Sequence, residues 1–157
     1  MRPPPEGSLY LEDLSVGQVF VSAPWPALDE AAIKAFAGVY DPQPFHLDEA
    51  AAKDSLFGGL AASGWHTAAI SMRLLLDAVP LVGGLIGKGG EIGWPRATRP
   101  GDVLTLYSEV VEITPSRSRP DRGMVTMRSE TRNQHGEPVQ VSRISMVAWR
   151  RPAGGES

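Results

Sequence analysis

The sequence contains no cysteine. That excludes disulfides, thiolate nucleophiles and cysteine-ligated metals, and it is compatible with a cytoplasmic address. Long apolar runs are missing too. The longest candidate, "GWHTAAISMRLLLDAV", is interrupted by Arg73 and Asp77, so no membrane span is expected. The opening "MRPPPEGSLY" has no apolar signal core. Nor is there an excess of positive charge: 15 Lys and Arg stand against 18 Asp and Glu, a formal net charge of −3. A protein whose whole surface binds nucleic acid is therefore not expected. What remains is an ordinary globular composition, 42% apolar and 21% charged over 157 residues, enough for one domain with a core. No repeat or linker divides the chain. Residues 1–157 read as a single domain with its core at about 14–150 and a frayed end at "RPAGGES".

The patterning changes once along the chain. "LSVGQVF" reads as a short strand. Asp29 is placed to cap a helix over about Glu30–Val39, with Ile33, Phe36 and Ala37 on one face. A second short helix covers Asp48–Lys53. A third runs from Gly64 to about Val79, and it is apolar around nearly its whole circumference, so burial on most sides is expected. "PLVGGLIGKGG" reads as a glycine-rich connection. From Glu91 onward the period is that of strands: "EIGWPRAT", "DVLTLYSEVVEIT", "GMVTMRSETRNQ" and "PVQVSRISMVAWRR". In the last of these Val139, Val141, Ser145, Val147 and Trp149 alternate, broken by Arg143, and "NQHGEP" before it is a hairpin turn. A curved antiparallel sheet wrapped about the third helix is the simplest way to bury it, an α+β layout. Such a sheet leaves edge strands open, and pairing two copies edge to edge removes one of them, so a homodimer is expected.

The stretch "DPQPFH" joins the first two helices. Its prolines bar a regular helix and fix φ, so it reads as a stiff loop holding Asp41 and His46 five residues apart. A carboxylate and an imidazole at that separation can both approach one water for general acid–base work. The same two residues also fit a turn cap and a histidine packed on an alanine-rich helix. Ser63-Gly64 marks the start of the third helix. The first backbone N–H groups of a helix lack internal partners, and glycine lets an oxygen approach them. Helix-end donors beside an acid and a base suit carbonyl-activated chemistry, in which an enolate or oxyanion is stabilised. Alone, Gly64 fits a sharp helix entry equally well.

The run "FAGVYDPQPFHLDEAAAKDSLFGGLAASG" resembles the hydratase motif of the MaoC-like dehydratases, which include the (R)-specific enoyl-CoA hydratases. Asp41 and His46 match the family's acid and histidine at the same spacing; Pro44 matches its proline and Gly64 its helix glycine. "GKGGEIGWPRATRPGDVLTLYSEV" resembles the later strand pair, and the likeness spans about Leu14 to Trp149. Tyr40, Gln43 and Ser63 depart from the family's glycine, asparagine and histidine. The resemblance implies a hot-dog fold and reversible addition of water to a 2-enoyl-CoA, giving an (R)-3-hydroxyacyl-CoA. Asp41 would activate the water, His46 would hold it and help protonate the α carbon, and the Gly64 N–H would bind the thioester oxygen. Coenzyme A enters as part of the substrate, with no separate cofactor or metal. The assembly implied is a homodimer or dimer of dimers. Two rivals remain open: a hot-dog thioesterase, and a non-catalytic acyl-thioester-binding subunit.

The substrate-binding candidates around this site are Tyr40, Gln43, Ser63, Trp65, Lys88 and Arg96, with Arg99 a further cation for an acidic ligand group. His66 reads as a core residue and His135 as a turn residue. His46, Asp48, Glu49 and His66 match no zinc spacing. "VGGLIGKGG" fails as a phosphate loop, since Val82 and Gly89 stand where glycine and Ser/Thr are needed. "SRSRPDR" reads as a solvated hairpin tip, and Trp94 and Trp149 as core or interface residues.

Overall fold

The computed structural model describes residues 4–154. Met1–Pro3 and the end of the expected frayed tail, 155–157, lie outside the described residues. Five antiparallel strands form one sheet: β1 (Val19–Val21), β2 (Ile86–Gly93), β3 (Thr105–Pro115), β4 (Arg122–Arg132) and β5 (Pro138–Trp149), in spatial order β1-β3-β4-β5-β2. Four helices precede β2: α1 (Glu30–Tyr40), α2 (Pro44–Leu47), α3 (Glu49–Lys53) and α4 (Gly64–Ala78). This is the expected α+β hot-dog layout, with α4 laid against the sheet.

Local chemistry sets the helix starts. The Asp29 carboxylate accepts from Ala32 N at 2.7 Å and opens α1; Asp48 does the same from Ala51 N at 2.8 Å and opens α3. "DPQPFH" is less irregular than expected. Pro44 takes the first position of α2, where a missing N–H costs nothing, so the second proline starts a turn of helix.

The core lies between α4 and the sheet. Ile70, Leu74 and Leu75 of α4 meet Leu106 and Val110 of β3, Val125 and Met127 of β4 and Met146 of β5 in one buried cluster. Burying each such side chain stabilises the fold by about 1.5–3 kcal/mol. The expectation that α4 is buried on most sides does not hold for the single chain. Trp65, Met72 and Leu76 on its other face stay exposed, because one sheet covers one side of a helix.

Two strand expectations also change. β2 begins at Ile86, inside the glycine-rich segment, and pairs with β5 through a bulge between Gly87 and Gly89. Glycine is needed there: a Cβ at Gly90 would lie 2.2 Å from Arg143 O. In β5 the apolar odd-numbered series is mostly the outer one. Met146 and Ala148 face the core while Val141 and Arg143 are exposed, the arginine marking the solvent side.

Candidate active site

α1 ends at Tyr40, and Asp41 closes it by donating its N–H to Ala37 O at 2.9 Å. Pro42 stops the helix there. The chain turns through Gln43 into α2, which carries His46 inward until it is buried. The Asp41 Oδ2 and His46 Nε2 atoms come within 3.2 Å. On the other side of the ring, Nδ1 sits 2.6 Å from Ala61 O. A carbonyl can only accept, so Nδ1 carries a proton and Nε2 is the nitrogen turned toward the carboxylate. Phe45 meets the ring edge-on at 4.6 Å between centroids. The residues just before Ala61 are held in turn. Arg99 donates to Gly59 O at 2.9 Å and Leu60 O at 3.3 Å, and its other terminal nitrogen bonds Phe57 O.

The carboxylate of Asp41 is gripped at both oxygens. Gln43 Nε2 donates to Oδ1 at 2.6 Å, and Ser63 Oγ donates to Oδ2 at 2.7 Å. Partial burial by itself would raise the Asp41 pKa. The hydrogen bonds from Ser63 and Gln43, together with the charge and hydrogen bonding of His46, outweigh it and hold the group below its ordinary value of 3.8.

Ser63 is also the N-cap of α4, its Oγ accepting from Trp65 N at 3.2 Å. Its carbonyl takes His66 N at 3.0 Å and Thr67 N at 3.1 Å. The Gly64 N–H is left with no acceptor among the described residues. Glycine is required here for a reason other than helix entry. A Cβ on Gly64 would lie 2.8 Å from the Trp94 indole, which is tied by Nε1 to Gln140 Oε1 at 3.0 Å and meets Trp65 edge-on at 5.3 Å. Asp41, His46 and Gly64 thus open onto one cavity of about 360 Å³, walled by Phe45, Phe57 and Trp94.

Residues 13–133 match the family model for the MaoC like domain. The chain belongs to that family. It is similar to a MaoC-like dehydratase from Rhodospirillum rubrum, whose crystal structure superposes with a TM-score of 0.90 at 61% identity, covering 92% of this chain and 99% of that one. An uncharacterized protein of Bacillus subtilis, YdeM, is 32% identical over 145 residues, 90% of this chain and all of YdeM. A 3-hydroxybutyryl-CoA dehydratase of Methylorubrum extorquens is 30% identical over 112 residues, 71% of this chain and 69% of that protein.

Of the candidates named from sequence, Asp41, His46, Gly64, Gln43, Trp65 and Arg96 line the cavity of this MaoC-like chain. Ser63 lies fully buried behind Asp41 and bonds it, so it touches the acid instead of the open space. Tyr40 lies off the cavity, exposed and packed on Phe36 at 4.9 Å. Lys88 stands on the exposed edge strand β2, also off the cavity. Arg96 pairs with Glu137 at 3.1 Å, and Arg99 is committed to backbone carbonyls. His66 is a buried residue stacked on Phe36 at 4.5 Å, and burial pushes its pKa down. Among the described residues no three His, Asp or Glu side chains cluster as metal ligands, and no helix is long and apolar enough to cross a membrane.

Sequence reasoning missed the cavity's walls and floor: Phe45, Phe57, Thr67, Trp94 and Thr98. Phe45 sits inside "DPQPFH" beside His46 and was legible by adjacency. Trp94 and Thr98 arrive from a segment some thirty residues on and carry no local signal.

Proposed function

We propose that this cavity adds water reversibly to 2-enoyl-CoA thioesters, giving (R)-3-hydroxyacyl-CoA. The observation that carries the reading is the convergence of Asp41 Oδ2 and His46 Nε2 in one cavity with the unpartnered Gly64 N–H. With Nε2 unprotonated, a water set against this pair can donate one O–H to Oδ2 and the other to Nε2. Held that way, its lone pair is free for a β carbon. The Gly64 N–H would take the thioester oxygen, where negative charge grows as the nucleophile adds; a single donor of this kind is worth on the order of 10²–10³ in rate.

Atoms balance without an external acid. The water oxygen bonds the β carbon, one water proton passes to the Asp41–His46 pair, and the pair returns a proton to the α carbon. Asp41 draws the proton from water. His46 steadies the water and hands a proton on, with Oδ2 and Nε2 near enough to exchange it. The chemistry calls for no group beyond the coenzyme A of the substrate. The likeness to (R)-specific hydratases supports the (R) configuration.

The acting unit we infer is a homodimer, alone or as a dimer of dimers. β2 is an eight-residue strand at the sheet edge with its outer side unpaired. Ile86 and Ile92 of this strand are exposed, as are Trp65, Met72 and Leu76 on the bare face of α4. A second copy would cover both the strand edge and the bare face of α4.

The test is to follow the enoyl absorbance of crotonyl-CoA and longer or branched enoyl-CoA esters, with a thiol reagent present in parallel. Loss of absorbance without thiol release, and a product resolved as the (R) isomer, is expected. Thiol release with the enoyl group intact would make the protein a thioesterase.

A further inference from the structure

The core holds three fully buried pairs of side-chain hydroxyls, and they are not equivalent. Ser71 Oγ donates to Thr67 O at 2.8 Å and so accepts from Thr131 Oγ1 at 2.6 Å. Ser108 Oγ donates toward Met127 Sδ at 3.9 Å and accepts from Ser129 Oγ at 2.7 Å. In both pairs each proton has an acceptor. The third pair is Thr67 and Thr98, joined Oγ1 to Oγ1 at 2.9 Å. Two hydroxyls bring two protons, and this contact uses one. Neither hydroxyl reaches a carbonyl or any other acceptor among the described residues. Both residues are 2% exposed, and both line the cavity that holds Asp41 and His46. Of the three pairs, the one with a proton left over is the one whose residues line the cavity.

We propose that the Thr67–Thr98 hydroxyl pair is a subsite for a neutral oxygen on the acyl group, so that the substrate class is a short enoyl thioester bearing a hydroxyl or keto oxygen beyond the double bond. This rests on the hydratase reading above. The pantetheine arm must leave toward solvent, so residues as buried as these two lie at the acyl end. Thr67 is three residues into α4 from Gly64, about 4.5 Å deeper along the axis, and the thioester oxygen already has its donor at the helix start. A carboxylate is disfavoured at the same place. Arg96 is the one cation lining the cavity among the described residues; it is about half exposed and paired with Glu137. A charge buried against a lone hydroxyl would keep much of its desolvation cost. A purely apolar tail leaves the spare proton unbonded, and a site built to bond an oxygen rejects the analogue that lacks it.

The experiment compares kcat/KM for 4-hydroxybut-2-enoyl-CoA and crotonyl-CoA in the natural protein and in the variant Thr67→Val/Thr98→Val. Each single change leaves one hydroxyl with its proton, so the double change is the decisive one. Replacing both partners by isosteric apolar groups is close to neutral for folding, which a melting curve checks. A preference of tenfold or more for the hydroxylated substrate is expected, falling to about one in the double variant. Thr98→Ser, which keeps the hydroxyl, should retain the preference. Equal use of both substrates by the natural protein, or a preference that survives the double change, overturns the subsite while leaving hydration standing. If neither ester is hydrated, the hydratase reading fails by itself. Calorimetry with the saturated pair 4-hydroxybutyryl-CoA and butyryl-CoA then decides the subsite: tighter binding of the hydroxylated ester, abolished in the double variant, supports it, and equal binding ends it.

Discussion

Around Asp41 and His46 the polar side chains find partners within the chain. Asp41 is bonded by Gln43 and Ser63, His46 by Ala61 O, and the carbonyls around His46 by Arg99. Along β2 the opposite holds. One side of the strand is unpaired, Ile86 and Ile92 stand in solvent, and Met72 and Leu76 of α4 are bare as well. The two regions meet at Trp94, whose ring covers Gly64 while 41% of the residue is exposed. The contrast separates two jobs. The proposed acid, base and helix-end donor all come from one chain, while the outer side of β2 is unpaired among the described residues.

The largest effect should come from breaking the finished region. Asp41→Asn and His46→Gln each keep the approximate size but remove the group that takes up or hands on a proton. Either should lower kcat on crotonyl-CoA by at least about 10²-fold, the lower end of what a positioned acid–base group contributes. The double variant should be little worse than the worse single, because groups acting on one water are lost together. Near-full activity in Asp41→Asn would falsify the proposed roles and leave "DPQPFH" a rigid turn.

Charging the open region should act differently. Ile92→Glu combined with Met72→Glu places carboxylates where the proposed partner copy would bury apolar surface. Light scattering should then show monomers. KM should rise more than kcat falls, since the acid, base and helix-end donor all belong to one chain. Monomers whose kcat has collapsed would mean that the neighbour supplies part of the chemistry, and the contrast between the regions would fail.

Legibility from the sequence follows the same division. The meeting of Asp41, His46 and Gly64 at one cavity is readable because short-range rules govern it: prolines fixing a turn and a small residue where a helix begins. The sheet was readable from alternation, although in β5 the odd-numbered apolar series turned out to face mostly outward, because Arg143 is a better guide to the solvent side than Val141. β2 starts earlier than its sequence predicts, because Gly87, Gly89 and Gly90 look like a loop until the close approach to β5 is known. Lys88 and Tyr40 were put at the cavity by nearness in sequence or by chemistry alone, and the fold turns both away. Trp94 and Thr98 reach the cavity through tertiary packing, which has no period to read.

The smallest effect, and the finest probe of the finished region, concerns Ser63. Its hydroxyl is the leading contributor holding Asp41 below the ordinary carboxylate value, against the opposing pull of burial. The sign follows from linkage. Asp41 is depressed in the folded state, so its stabilising contribution is present above the unfolded value and is lost as pH falls through the lower folded value. The ionised form is also the one that draws a proton from water, so the acid limb of kcat/KM should lie below the usual carboxylate range. Ser63→Ala removes the bond and should move that limb to higher pH. The hydrogen bond to a charged group also contributes to stability, about 1–3 kcal/mol near neutral pH, a difference that shrinks once Asp41 is protonated. Gln43→Ala should shift the limb the same way by less, since the Gln43 amide holds the carboxylate down less than the Ser63 hydroxyl does and Gln43 is exposed. Turnover at neutral pH should fall only a few-fold in either variant, because Oδ2 and Nε2 remain in place. An acid limb that stays put in Ser63→Ala while the melting temperature drops would make Ser63 a helix cap and nothing more.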